Sequence, residues 1–224
     1  MGDVSAPDTA WYGRLDRATI VDAGLRIAAR PDTAQVRFRD LGDELGADPT
    51  AVYRHFRNKA ALMAALIERL MSDVTASLPP GGAWRETLET MASSTLDIFV
   101  AHPAIGTHLM DARPVGPAEL ALVEASLRAF EAAGLEGDEL VEHYGAFSGM
   151  LLAYVAAACR ERVTAGSAVA GIEDVPWLPT EVEISGAAYP VLGRYAVQLF
   201  GMDFKSTYYA GVRVLIDAIA RTAG

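Results

Sequence analysis

The sequence predicts an all-α protein, in which an N-terminal three-helix unit containing a helix-turn-helix is followed by a larger helical C-terminal portion. Three observations carry this. No segment alternates convincingly at period two, as a half-buried strand would, whereas apolar residues recur every three or four positions through most of the chain. Proline and glycine break these periodic stretches at helix-sized intervals: Pro31, Gly46, Pro79-Pro80-Gly81-Gly82, His102-Pro103, Arg113-Pro114, Gly134 and Gly137. A hydrophobic content of 51% over 224 residues is ample for a core and excludes a disordered chain.

Residues 1–15 read as a flexible arm rich in Gly, Asp, Ala and Pro, in which Trp11 and Tyr12 are the only large groups able to pack. Asp16 is a suitable N-cap for a first helix that turns Ile20, Ala23, Gly24, Ile27 and Ala28 inward and stops before Pro31. Arg14 and Arg17, at its start, are expected to contact phosphate rather than only solvent.

The next stretch, Arg37 to Lys59, organises the chain. Phe38, Leu41 and Leu45 form one stripe of a two-turn helix, and Gly46 stops it because glycine tolerates the left-handed cap. Asp48 and Pro49 restart the chain as an N-cap acceptor and a first-turn proline. The helix expected from Pro49 to about Phe56 turns only Val52 and Phe56 inward, leaving Thr50, Ala51, Tyr53, Arg54 and His55 outward. Asn58 then caps a longer helix, with Lys59 in a first turn whose free amides favour an anion such as phosphate. Two helices across a glycine turn, the second bearing hydroxyl, aromatic and basic groups, form a helix-turn-helix able to lay that second helix in the major groove. An ordinary helical corner gives the same spacing.

Leu62, Met63, Leu66, Ile67, Leu70 and Val74 keep helical period to Pro79, so residues 59–77 form a helix connecting the unit at 16–60 to a domain at 78–224. Further helices are expected at about 84–101, 104–111, 117–133, 138–163, 187–200 and 204–222. The interruption at 164–186, with an exposed Trp177, is long enough to be functional or disordered.

The net charge of -10 is unevenly spread. Between residues 14 and 60 nine Lys/Arg face seven acids, whereas from residue 61 onward ten face twenty. This arrangement orients the basic end toward a polyanion and discourages non-specific contact elsewhere. The single Cys159 permits no intrachain disulfide, which suits a reducing cytoplasm, and it lies in an apolar run as a small core residue. The N-terminus lacks a signal-peptide pattern, and Met150 to Cys159 is too short to span a bilayer, so no membrane partner is expected.

Enzyme chemistry finds no footing. His55, His102, His108 and His143 sit in no metal spacing, and His108 with Asp111 supplies two ligands at most. The serine of Gly145-Ala146-Phe147-Ser148-Gly149 is one place off a nucleophile elbow, and no phosphate or dinucleotide loop occurs. No cofactor and no metal is expected. The alternative to a DNA-binding protein is a helical small-molecule binder or enzyme with a vestigial DNA unit.

The string of Arg39, Leu41, Leu45-Gly46, Val52-Tyr53-Arg54-His55-Phe56, Asn58-Lys59 and Leu62 resembles the tetracycline repressor (TetR) family over residues 16–78, with a weaker likeness beyond. The resemblance implies a homodimeric regulator, most often a repressor, that leaves a palindromic double-stranded operator when a small effector binds its C-terminal domain. Residue by residue it implies DNA contacts from Arg39, Pro49, Thr50, Ala51, Tyr53, Arg54, His55 and Lys59, with Tyr53 and Lys59 on phosphates. Pro49, Ala51 and Arg54 depart from common family choices, so the operator sequence does not transfer. Ala101 to Pro114 resembles a segment of the tetracycline-binding members, with one residue inserted after His108-Leu109. The same pocket with a different, apolar or aromatic ligand is therefore expected, lined by some of Phe99, His108, Met110, Arg113, Tyr144, Phe147, Met150 and Tyr154. The surplus apolar stripes of the helices at 138–163 and 204–222 predict a dimeric four-helix bundle through Val212, Leu215, Ile216 and Ile219, with Gly145 and Gly149 allowing close crossing.

Overall fold

The computed structural model describes residues 15–111, 116–166, 171–178 and 184–222. The arm expected at residues 1–15, with Trp11, Tyr12 and Arg14, lies almost wholly outside the described residues, as does Arg113.

Helix α1 (Arg17–Ala28) begins at Asp16, whose carboxylate accepts the Thr19 amide at 2.8 Å. This hydrogen bond holds the Asp16 carboxyl below its ordinary range. Helix α2 (Phe38–Leu45), α3 (Pro49–Tyr53) and α4 (Lys59–Ser77) follow. Ile20, Leu41, Val52, Phe56, Leu62 and Leu66 are each wholly buried and form one core. A Cβ on Gly24 would come within 2.8 Å of Leu66 Cδ2, so α1 and α4 are in close contact there. Arg69 of α4 pairs with Asp22 of α1 at 2.8 Å, and Glu44 of α2 binds Arg26 at 2.9 Å and also Arg30. These arginines, Arg26 first, hold the Glu44 carboxyl below its usual range.

Helix α4 packs on α5 (Trp84–Val100) and α7 (Pro117–Ala132) as well as on α1. Its Glu68 Oε1 accepts the Ala118 amide at 2.7 Å, tying α4 to the start of α7. Helix α6 (Pro103–Gly106) lies against α8 (Gly137–Ala165), where a Cβ on Gly106 would collide with Cys159 Sγ. Cys159 is fully buried, as expected of a core residue, and burial pushes its thiol up to about 12. Phe130 of α7 meets Phe147 of α8 edge to face at 6.0 Å. Helix α10 (Phe204–Thr222) packs along α8 and α5, its Tyr208 hydroxyl donating to Ala92 O at 2.8 Å. Helix α9 (Pro190–Phe200) contributes no buried residue.

Three expectations need correction. The second helix of the motif ends at Tyr53 rather than near Phe56: the His55 amide bonds Val52 O, three residues back, in a tighter turn, and the His55 carbonyl accepts a hydrogen bond from Arg17 at 2.8 Å. The helix expected at 104–111 is a single turn followed by further turns to Asp111. Trp177 is half-buried rather than exposed: it stacks on Tyr154 with ring centres 5.0 Å apart, and its amide donates to Met202 O at 2.8 Å.

Candidate nucleic-acid interface and interior cavity

The short helix α3 is set by its two ends. Asp48 Oδ1 accepts the Thr50 amide at 2.7 Å, and Thr50, through its side chain first and this amide second, depresses the Asp48 carboxyl. Gly46 takes the left-handed cap of α2 at φ 58°, as the sequence predicts. Gly42 matters as much, because a Cβ there would lie 2.9 Å from Ala47 O and 3.1 Å from Pro49 Cγ. Only a residue without a side chain lets α3 turn back so tightly.

With Val52 and Phe56 buried, Thr50, Tyr53 and Arg54 face solvent, and Ala51 and His55 are half-buried. Tyr53 lies flat on Phe38 with ring centres 4.1 Å apart and planes 7° from parallel, which fixes its direction while leaving it 53% exposed. Arg17, expected as a phosphate contact, instead lies 4.2 Å over the Phe56 ring and donates to His55 O. It clamps the end of α3 to α1.

Beside α3 the surface is concave, lined by Arg37, Arg39, Tyr53, Arg57, Asn58 and Lys59. Among the described residues none of these four cations has a carboxylate within 4.0 Å, whereas Arg26, Arg30, Arg69, Arg85 and Arg128 are all paired. Lys59 Nζ donates to Gln35 Oε1 at 3.3 Å, and Asn58 Oδ1 caps α4 by accepting the Ala61 amide at 2.8 Å. A concave surface with unneutralised cations beside an exposed phenol and a helix N-terminus fits a phosphate backbone. Arg37 and Arg57 were not predicted as contacts. Their signal was a run of basic residues flanking the motif.

Helices α4, α5, α7 and α8 line a narrow cavity that opens to solvent on one side. Its apolar wall includes Met71, Met91, Phe99, Leu122, Phe147 and Leu151, and its polar groups are Thr95, Glu119, Ser126, Tyr144 and Ser148. Of the predicted pocket residues, Phe99, Tyr144 and Phe147 meet here. The others do not. Tyr154 packs with Trp177, Phe204 and Tyr208, and Met150 lies near Gly211. Met110 is 52% exposed, and His108 sits 4.0 Å from Asp111, where burial first and Lys59 second lower its pKa. The break after α6 turns these side chains away from the cavity. Glu119 and the α4 and α7 walls went unpredicted, since their helical spacing reads as core.

The predicted dimer residues divide in the same way. Val212, Ile216 and Ile219 are buried against their own chain, because α10 packs its main stripe on α8 and α5, and Leu215 is half-buried. Gly145 and Gly149 are exposed, with nothing within 4 Å of a Cβ. Val141 and Val214 are each 62% exposed. Val191, Leu192, Tyr195 and Val197 lie uncovered on α9, Val197 at 86%. Among the described residues no three His, Cys, Asp or Glu gather as a metal site, and no helix is long and apolar enough to cross a membrane.

Residues 20–66 match the family model of bacterial regulatory proteins of the tetR family, and residues 76–222 that of the tetracyclin repressor-like C-terminal domain. The chain is similar to the HTH-type transcriptional repressor DrrR1 of Streptomyces coeruleorubidus, 28% identical over 211 residues, covering 90% of this chain and 75% of that protein. It is also similar to the tetracycline repressor protein class A from transposon 1721 of Escherichia coli, 26% identical over 218 residues, covering 93% and 92%. Among solved structures, the Streptomyces coelicolor TetR family protein ActR in complex with actinorhodin shares the fold, with TM-score 0.73 and 21% identity over 95% of this chain and all of that one.

Proposed function

Because the chain belongs to the TetR family of DNA-binding transcriptional regulators, we propose that it is a cytoplasmic, homodimeric repressor that leaves a palindromic operator when a small molecule fills the cavity between α4, α5, α7 and α8. The observation that carries this reading is the pairing of a short exposed helix with a flank of unneutralised cations. Residues 16–60 read DNA, residues 59–77 link, and the remainder binds effector and partner. Tyr53 and Lys59, with Arg37, Arg39 and Arg57, hold phosphates; Thr50 and Arg54 face the major groove, with Pro49, Ala51 and His55 at its edge. Arg54 reaches guanine, and Ala51 touches a thymine methyl.

One short helix reads too few base pairs, so a second copy supplies the other half-site. The partner covers Val141, Gly145 and Gly149 of α8, Val214 of α10 and the uncovered apolar residues of α9. Support for an effector comes from the cavity and from relatives whose names include tetracycline repressor and whose structures include ActR with actinorhodin. The test is footprinting of the purified protein on its own upstream DNA. A protected palindrome whose affinity falls steeply with salt is expected, and absent or salt-insensitive binding overturns the reading.

A further inference from the structure

We propose that the cavity selects a protonated amine carried on a flat apolar or aromatic body, with the amine seated on Glu119. The proposal rests on the reading of the protein as an effector-controlled regulator and names the chemical class of that effector.

The first observation is a carboxylate oxygen with nothing to bind. Glu119 lines the cavity from the first turn of α7, and its Oε2 is shut off from solvent with no hydrogen-bond partner among the described residues. A buried oxygen in this state is costly until a donor reaches it. A capping role does not account for it, since the start of α7 already has an acid: Glu68 Oε1 accepts the Ala118 amide at 2.7 Å.

The second observation concerns the neighbouring hydroxyls. Thr95 donates its proton to Met91 O at 2.7 Å, and Ser126 donates to Leu122 O at 2.8 Å. Each therefore offers the cavity only lone pairs. Glu119, Leu122, Val123 and Ser126 share one face of α7 by helical spacing, with Thr95 contributed by α5. Three acceptor groups thus line one pocket, and no Lys, Arg or His is among its described lining residues. An anionic ligand would meet a like charge with no cation among those residues to offset it. A protonated amine brings charge-assisted donors to the Glu119 carboxylate with a further donor for the Thr95 oxygen, while Ser126, about two turns further along α7, accepts from polar groups on the body of the ligand.

The rest of the wall sets the body of the ligand. Phe99, Tyr144 and Phe147 offer ring faces and edges, while Met71 and Met91 are flexible enough to mould to an irregular outline. The hydroxyls of Tyr144 and Ser148 also line it and can donate to an ether or carbonyl on that body.

Calorimetry on the purified full-length protein with three probes of one shape tests the proposal: 2-naphthylmethylamine, 2-naphthylmethanol and 2-naphthoate. The amine is expected to bind about tenfold more tightly than the alcohol, with naphthoate weakest. Glu119→Gln keeps the shape and removes the charge, so it should erase the amine's advantage and leave the alcohol within about twofold. Ser148→Phe, which fills the cavity, should abolish all three. Circular dichroism and operator binding without ligand show whether each variant is folded, and Thr95→Val, expected to weaken the amine severalfold, provides an independent arm. Naphthoate binding as tightly as the amine, an amine preference unchanged in Glu119→Gln, or no binding of any probe at millimolar concentration overturns the proposal. If the wild type binds no operator but keeps the probe order, the regulatory reading fails and the ligand class stands.

Discussion

Replacing Lys59 by alanine should change how steeply operator binding depends on salt, by an amount the interface fixes. Arg37, Arg39, Arg57 and Lys59 line the concavity beside α3, and none has an ion-pair partner among the described residues, so each is available to a phosphate. If each neutralises one phosphate in each half-site of a dimer, the slope of log affinity against log salt is about -7. Between about 50 and 200 mM salt the affinity then falls roughly 10⁴-fold. Lys59→Ala removes one contact per subunit and should bring the slope to about -5, reducing that fall to roughly 10³-fold. Its hydrogen bond to Gln35 is exposed, so the loss should leave the fold intact. Fluorescence anisotropy of a labelled operator across a salt series measures both slopes. A variant line parallel to the wild type would show that Lys59 touches no phosphate, and a wild-type slope shallower than about -2 would refute the concavity as the backbone site.

Arg54→Ala should cost ~1 to 3 kcal/mol of discrimination at one base pair, whereas Tyr53→Phe should weaken all sequences alike; a uniform loss for Arg54 would make it a backbone contact. Gly42→Ala should lower the melting temperature and operator affinity together, because its Cβ would lie 2.9 Å from Ala47 O, and an unchanged melting curve would show that the turn relaxes freely. His108 binds its proton less readily folded than unfolded, because burial and Lys59 lower its pKa against the smaller opposing pull of Asp111. The stability it contributes is therefore full above its ordinary value of 6.5 and declines as pH falls below that toward the lowered value, and urea melts of His108→Gln should lose that part of the decline. Val197→Glu should yield a folded monomer by sedimentation without operator binding, while Ile219→Glu should unfold the chain; a Val197→Glu dimer would move the interface off α9.

What could be read from the chain alone was what is decided locally. The Gly46 cap, the Asp48-Pro49 restart and the inward pair Val52 and Phe56 each depend on residues within a turn of one another, and all stand where their spacing put them. The use made of the end of α3 was not legible, since the group that takes the His55 carbonyl is Arg17, 38 residues away. Trp177 looked exposed in a polar loop, yet it finds Tyr154 only once α8 and the loop are folded together. The surplus apolar residues of α10 were visible, but the chain could not say which partner they served. Val212, Ile216 and Ile219 went to their own subunit, and the uncovered apolar surface lies instead on α9 and the outer face of α8. Glu119 drew no notice in the sequence, and only the wall around it reveals an oxygen without a donor among the described residues.

Helix α4 carries Lys59 at its first residue, Leu66 against Gly24 of α1 in its middle, and Met71 and Val74 in the cavity wall near its end. On the proposed reading one unbroken rod belongs to both binding sites, and any placement of it that suits one occupant is felt by the other. Thermodynamic reciprocity then runs in both directions: the factor by which the small molecule loosens the operator is the factor by which the operator loosens the small molecule. An affinity measured on the free protein thus exceeds the one met on the chromosome by that factor. The concentration at which the operator is vacated should therefore lie above the one that the free protein's affinity alone implies.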